Sequence, residues 1–194
     1  MAPIMAHTTT NEVKGGMKVV VDGQPYSVVS NEYMKPGKGR AINRIRIKHL
    51  ITGRTIEKTY TSGDRIDLAD VEEVYMRLLY KESDGVVFMN DNNFEQLKIM
   101  NETIGETMNW LLEDQVYDIV FYNGQPVTVE APTFMELKIV ETMPGDRGNT
   151  ASGRVLKPAK VETGAQIQIP IFVEEGETVK IDTRTGDYVS RVNA

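Results

Sequence analysis

Four turn dipeptides, Asp22-Gly23, Thr52-Gly53, Asp84-Gly85 and Asn123-Gly124, each separate two short runs rich in Val, Ile, Thr and Tyr. Asx-Gly pairs supply the positive φ that a tight hairpin turn needs, and β-branched and aromatic residues fit a pleated surface. The spacing predicts four hairpins: Met17–Val21 with Pro25–Val29, Ile42–Leu50 with Thr55–Tyr60, Tyr75–Tyr80 with Val86–Met89, and Tyr117–Tyr122 with Val127–Glu130. Further strands are expected at Glu136–Glu141, Gln166–Phe172, Thr178–Asp182 and Asp187–Val192, punctuated by Gly164, Gly176 and Gly186. Many short strands at such spacing specify an all-β chain built of small barrels. One helix interrupts them. Between Asn101 and Asp114, Ile104, Met108, Leu111 and Leu112 recur at i, i+4, i+7 and i+8.

That helix falls between the third and fourth hairpins, where an OB-fold carries the helix that caps its barrel. Its Met residues and Trp110 read as packing rather than as a ligand site. The charge distribution divides the 194 residues further. Residues 1–69 carry eleven Lys and Arg against six Asp and Glu (+5), residues 70–132 carry three against thirteen (−10), and residues 133–194 carry eight against nine (−1). We therefore expect boundaries at 69/70, where the sign flips, and at 132/133, beside Ala131-Pro132. Pieces of about 60 residues are near the lower limit for an unassisted core, so the barrels are expected to pack on one another. A basic head, an acidic middle and a nearly neutral end predict an elongated molecule lying along RNA in one orientation; an acidic middle that only aids solubility is the plainer reading. Asp22-Gly-Gln-Pro-Tyr-Ser-Val28 and Asn123-Gly-Gln-Pro-Val-Thr-Val129 echo one another, which shared turn chemistry explains without a duplication.

The segment Lys35-Pro36-Gly37-Lys38-Gly39-Arg40 holds one lysine between two glycines, downstream of a rigid proline. Pro36 fixes its own φ and biases Lys35 toward extended backbone. Gly37 and Gly39 tolerate positive φ and carry no bulk, so a partner can approach Lys38 from both sides. The cationic side chains of this loop donate hydrogen bonds and accept none, which favours a phosphate-rich partner. An ordinary hairpin turn with a solvated lysine is the plainer reading. The surroundings weigh against it: from Lys35 to Lys58 there are eight basic residues and a single acid, Glu57. Ile45 and Ile47 alternate with Arg44, Arg46 and Lys48, which puts the isoleucines on one face of a strand and the cations on the other.

Several functions lack their parts. Cysteine is absent, which excludes disulfides and thiolate metal sites and fits a reducing cytoplasm. The only histidines are His7, in a stretch 1–10 read as a disordered tail, and His49, read as a surface residue beside the cations rather than a general base. No catalytic triad or metal site can be assembled from them, so no catalytic residue, metal ligand or cofactor is expected. Gly37-Lys38 resembles a phosphate-binding Walker loop, but Glu32 and Gly39 stand where that motif needs Gly and Ser or Thr. Glu82, Asp84 and Asp91 lack calcium-loop spacing and mark turns. No apolar run approaches membrane-spanning length, and residues 1–10 lack the features of a secretory signal. Met5 offers a second start.

Lys35-Pro-Gly-Lys-Gly39, followed by Ala41 and Arg44, resembles bacterial elongation factor P. The likeness runs from about Val13 to the end of the chain. It includes Leu50-Ile-Thr-Gly53, Glu57-Lys-Thr59, Phe88-Met89, Asn123-Gly-Gln-Pro126 and Phe134-Met-Glu-Leu137. Lys157, Ala159, Gly164, Ile167, Pro170, Val173 and Gly176 fall at the spacing of that family's C-terminal signature, with Ile169 where the family favours Val, and Tyr188-Val-Ser-Arg191 closes the match. The resemblance implies an SH3-like barrel (1–69) followed by two OB-folds (70–132 and 133–194) in an L shape. It implies a cytoplasmic, monomeric translation factor that binds the 70S ribosome between the P and E sites, touching rRNA and peptidyl-tRNA, and relieves stalling at consecutive prolines.

Carried over residue by residue, the resemblance makes Lys38 the lysine that a modifying enzyme extends. It makes Lys35, Pro36, Gly37, Gly39, Arg40, Arg44, Arg46 and Lys48 the contacts to P-site tRNA and rRNA. It puts Gly148, Asn149, Thr150, Tyr188 and Arg191 on the codon side, with a core tyrosine and a solvated arginine as the plainer reading of the last two. Two positions depart from the family: Arg40 replaces a small or amide residue, and Asn149 replaces Asp. They keep open a paralogue with a specialised role. A general single-stranded nucleic-acid binder of OB type is the other alternative. That class wants aromatic platforms beside basic grooves, whereas here Tyr33 and Tyr60 merely flank the cationic strand.

Overall fold

A computed structural model describes residues 5–145 and 155–192. The chain is mostly β, arranged in three curled sheets whose ladders are antiparallel wherever a register is described. The first holds β1 (His7–Thr9), β2 (Lys18–Val21), β3 (Gln24–Met34), β4 (Ile42–His49), β5 (Thr55–Thr61) and β6 (Arg65–Leu68), in the order β1-β6-β2-β3-β4-β5. The second holds β7 (Val71–Lys81), β8 (Gly85–Met89), β9 (Gln96–Met100), β10 (Val116–Tyr122) and β11 (Gln125–Glu130), in the order β11-β10-β7-β8-β9. The third holds β12 (Phe134–Thr142), β13 (Leu156–Val161), β14 (Gln166–Pro170), β15 (Thr178–Asp182) and β16 (Asp187–Arg191), in the order β14-β13-β12-β15-β16. Contacts gather the chain into two compact units, Met1–Glu73 with Val120–Thr128 and Val74–Ile119 with Val129–Ala194.

Turn chemistry accounts for two of the hairpins directly. Asp22 and Gly23 have φ of 51° and 75°, and Asn123 and Gly124 repeat the same two values. Two successive positive φ angles match the right-handed twist of the flanking strands, and the sequence echo is thus one turn geometry used twice. Asp84-Gly85 works otherwise, because neither residue has a positive φ. A Cβ at Gly85 would lie 2.6 Å from the Ile99 carbonyl oxygen, so the missing side chain lets two backbones approach.

Period-two alternation builds the cores. In β12, Met135, Leu137 and Ile139 are buried while Phe134, Glu136 and Lys138 are exposed. In β13, Lys157, Ala159 and Val161 point inward. Lys157 is tolerated there because its Nζ donates to the Met143 carbonyl at 2.7 Å. The first sheet encloses Val13, Val19, Val21, Val28, Ile45, Ile47 and Ile66. Phe88 and Tyr117 meet edge to face in the second, at 5.8 Å between centroids.

Two expectations are corrected. Residues 1–10 are not simply a tail: His7–Thr9 pair with Asp67–Arg65 of β6, and Thr10 is fully buried. The Thr10 hydroxyl accepts from the Gly63 amide at 2.9 Å, which anchors the strand's end. The helix expected over 101–114 is a single α turn, α1 (Asn101–Ile104), followed by a 3₁₀ helix Gly105–Trp110. Gly105 takes φ 57°, which ends the α-helical ladder. Met108 is therefore exposed, while Ile104, Trp110 and Leu111 are buried. The pair still lies between the third and fourth strands of its sheet in chain order. Four strands lacked a sequence signal: β1, β6, β9 and β13.

Candidate nucleic-acid interface

The basic loop is the tip of a long β3–β4 arm, whose β4 is also paired to β5 from Ile42↔Thr61 to Lys48↔Thr55. β3 and β4 pair from Tyr26↔His49 outward to Met34↔Ile42, with a bulge between Val28 and Ser30. Residues 35–41 close the arm, and Lys35, Pro36, Gly37, Lys38, Gly39 and Arg40 are all exposed. Gly39 has φ 137°, a region closed to most side chains, whereas Gly37 has no positive φ. Gly37 instead stands in open space, with no atom within 4 Å of where a Cβ would be. Its value is clearance beside Lys38 and not a backbone requirement. Among the described residues, nothing forms a hydrogen bond or ion pair with the Lys38 amine.

β4 separates its faces as the alternation requires. Asn43, Ile45 and Ile47 are buried, while Arg46 is exposed and Arg44 and Lys48 are half-buried. Not every cation of the run is equally available. Arg44 pairs with Glu57 at 3.3 Å, and Arg46 faces the same Glu57 across the β4–β5 ladder without an ion pair among the described residues. Lys58 donates to Asp22 at 2.5 Å, a bond that raises its pKa above the usual lysine range. Lys48 also has an interaction within the chain. Lys35, Lys38, Arg40, Arg46 and Arg54 are the exposed cations of the run that remain.

His49 is part of the turn. Its Nδ1 accepts from the Ile51 and Thr52 amides at 3.1 and 3.2 Å. Its ring stands edge-on to Tyr26 at 5.0 Å. With Nδ1 accepting, the proton sits on Nε2, which reaches Gln24 Oε1 at 3.3 Å.

The residues expected on the codon side separate into two groups. Gly148, Asn149 and Thr150 lie outside the described residues. Tyr188 is half-buried against the core of the third sheet. Arg191 forms an ion pair with Glu177, and its guanidinium sits 5.6 Å from the Phe172 ring centroid. The Glu174 amide, and then Arg191, hold the Glu177 carboxyl below the usual carboxylate range. Sequence reasoning missed Phe172 and Glu177, which carry no local motif.

It also missed Asn43 and Asn31 in the first sheet. Asn43 follows Ile47 and Ile45 along the buried face and is only 2% exposed. An amide two residues beyond an Ile-Arg-Ile alternation was the available signal. In the second sheet two cations are held by acids: Arg77 binds Asp91 at 2.7 Å, and Lys98 bridges Glu82 and Asp84 at 2.5 and 2.7 Å. Among the described residues, no cluster of three or more His, Asp or Glu is placed to hold a metal, and no helix is long and apolar enough to cross a membrane.

Three family models cover the sheets in turn: the elongation factor P KOW-like domain over residues 9–66, the elongation factor P OB domain over 71–129, and the elongation factor P C-terminal domain over 135–191. The chain belongs to the elongation factor P family. It is 62% identical over 190 residues to "Elongation factor P 2" of Protochlamydia amoebophila, covering 98% of this chain and all of that protein. It is 55% identical over 189 residues to "Elongation factor P 2" of Chlamydia trachomatis serovar D, covering 97% of this chain and all of that protein. Among solved structures, a eukaryotic translation initiation factor 5A from Methanococcus jannaschii matches 66% of this chain and 98% of its own, at 22% identity and a TM-score of 0.47.

Proposed function

We propose that the chain is a translation elongation factor that binds the 70S ribosome between the P and E sites and aligns peptidyl-tRNA for peptide-bond formation, relieving stalls at consecutive prolines. The observation that carries this reading is the Lys38 amine, unpaired among the described residues at the tip of an exposed arm, in a chain whose three parts all match this family. Proline is a constrained donor and acceptor, so the deficit at such codons is one of geometry. An extended amine beside the CCA end holds tRNA and nascent chain in reactive alignment, and ordering of reactants yields tenfold in rate per about 1.4 kcal/mol of barrier. The ribosome performs the chemistry; this chain supplies position. Lys35, Arg40, Arg44, Arg46 and Lys48 supply phosphate and sugar contacts that orient the factor without reading sequence. The protein acts in the cytoplasm as a monomer, with Lys38 extended by a modifying enzyme.

Lys38→Ala tests this. The variant is expected to melt with the wild type and to lose rescue of a Pro-Pro-Pro reporter in a reconstituted system with factor from its native cell. Normal rescue by Lys38→Ala would refute the assignment. Intact mass and peptide mapping of residues 35–40 from native material identify the group on Lys38.

The name of the relatives, "Elongation factor P 2", favours a second reading: a paralogue with a narrower task. Arg40 and Asn149 fit it, since one adds charge beside the modified lysine and the other removes a carboxylate. A cell lacking its principal factor distinguishes the two. A general factor restores all Pro-Pro contexts, and a specialised one restores a subset.

A further inference from the structure

We infer that the outer end of the β3–β4 arm, beside the Lys38 loop, holds a second contact site, a polar pocket that takes an unpaired nucleoside of the RNA engaged by that loop. The inference rests on the reading of the arm as an RNA contact and adds a neutral, base-directed element to it.

The pocket has a volume of 490 Å³ and is lined by Asn11, Val13, Asn31, Tyr33, Asn43 and Ser62. That volume lies within the range of small-molecule sites. Its floor is an ordered pair of amides. Asn31 Nδ2 donates to the Thr10 carbonyl at 2.7 Å and to the Val13 carbonyl at 2.9 Å. Both hydrogens are thereby used, so Asn31 Oδ1 is an acceptor, and Asn43 Nδ2 donates to it at 3.1 Å. The chain of bonds fixes which end of Asn43 is which: its Oδ1 is the free end, and this buried acceptor has no partner among the described groups. Native proteins seldom leave such an atom unsatisfied. On this strand face the next positions along the chain are the buried Ile45 and Ile47, so an amide at position 43 departs from the apolar pattern.

The lining selects the ligand's chemistry. It contains no charged side chain, so an isolated phosphate finds no cation in it. Asn43 Oδ1 only accepts, so the ligand must present an N–H or O–H. Tyr33, directly across the ladder from Asn43, is 59% exposed and offers an aromatic face. Asn43 Oδ1 is covered in the free protein, so the proposed contact requires a side chain of the pocket to move aside. A donor beside a flat π surface describes a nucleobase, or a ribose hydroxyl with its base stacked on the tyrosine. A peptide also donates N–H groups. The same arm carries Lys35, Lys38, Arg40 and Arg46 exposed, however, and these cations match the phosphates on either side of a nucleoside.

Full-length variants test the pocket: Asn43→Val, Tyr33→Ala, Tyr33→Phe and the double variant Asn43→Val/Tyr33→Ala. Affinity is measured for 70S ribosomes carrying P-site peptidyl-tRNA. Asn43→Val and Tyr33→Ala are each expected to weaken binding about tenfold, equivalent to about 1.4 kcal/mol. The double variant is expected to be scarcely weaker than either, because base and tyrosine act together. Tyr33→Phe keeps the ring and binds as wild type. Asn43→Val is expected to melt no lower than wild type, because valine suits a buried strand position. Wild-type affinity of Asn43→Val overturns the inference, whether its melting temperature falls, which makes the amide a structural strut, or holds.

A second measurement needs no ribosome. Adenosine or cytidine at millimolar concentration is expected to shift the side-chain amide resonances of Asn43 and Asn31. A proline-rich peptide that shifts them while both nucleosides leave them unmoved gives the pocket to a protein segment and overturns the proposal. Lys38→Ala keeps the two readings apart. If that variant rescues normally, the functional reading falls, and the nucleoside titration still decides the pocket.

Discussion

Tyr117 shows how much a single hydroxyl organises. It donates to the Trp110 carbonyl at 2.5 Å and accepts from the Leu112 amide at 2.8 Å, so it closes the end of the 3₁₀ helix where backbone groups lose their helical partners. Burial pushes its pKa up to about 12, and the Leu112 amide offsets part of that rise. The folded value lies above the ordinary tyrosine pKa of about 10. The phenol's contribution is therefore complete below that pH and is lost as pH rises through about 12. Tyr117→Phe leaves an N–H and a C=O unpaired and is expected to lower unfolding free energy by about 1–3 kcal/mol in urea titrations. The variant should also lose Tyr117's share of the wild type's destabilisation at alkaline pH, while Tyr60, which burial also raises, keeps its own. At this scale the sequence was informative where chemistry is unusual, as at Lys38 between its glycines. It was silent where the role depends on a distant partner, as for Asn31, Glu177 and Phe172. Arg191 and Tyr188 were legible as positions, yet their ties to Glu177 and to the third core arise from folding and not from spacing.

At the scale of elements, strands with an Asx-Gly turn and at least two alternations could be read to within a few residues. β3 and β7 run longer than the pattern suggested: β3 continues past Val29 to Met34 in its pairing with β4, and β7 begins at Val71, in a stretch with no fully buried residue to set a period. β1 escaped because three residues carry no period, and its pairing to β6 is non-local. The helix was overread because Ile104, Met108 and Leu111 fit the helical period while Gly105 breaks the backbone beneath it. The status of β1 can be measured. Removing residues 1–9 deletes the β1–β6 ladder and the bond from the Leu68 amide to the Ala6 carbonyl. A loss of about 1 kcal/mol lowers the melting temperature of a small domain by about 4–8 °C, and scanning calorimetry is expected to show a fall of at least that size. An unchanged melting curve would return β1 to the status of a tail. At the arm's tip, Gly39→Ala forces a side chain onto φ 137°. Rescue of the Pro-Pro-Pro reporter is expected to fall while the melting temperature holds, since the loop contributes nothing to the core.

At the scale of the whole molecule, charge sorts the chain into a basic first segment and an acidic second one. Binding through the first should release counterions, so affinity for ribosomes is expected to fall linearly with salt on logarithmic axes. Arg46→Gln removes one exposed cation, and the slope is expected to flatten by about 0.7–0.9, as for one phosphate contact. An unchanged slope would take Arg46 out of the interface. The asymmetry is fully legible in the sequence. The packing that joins the second and third sheets is not. Trp110, at the end of the second sheet's 3₁₀ helix, is buried in the third sheet's core, with its ring 3.7 Å from where a Cβ on Gly186 would sit. The Thr163 hydroxyl adds a bond to the Asn109 carbonyl at 2.6 Å. An indole lent by one module to fill its neighbour makes the two inseparable: cut the chain at residue 130, and the C-terminal piece inherits a hole the size of a tryptophan.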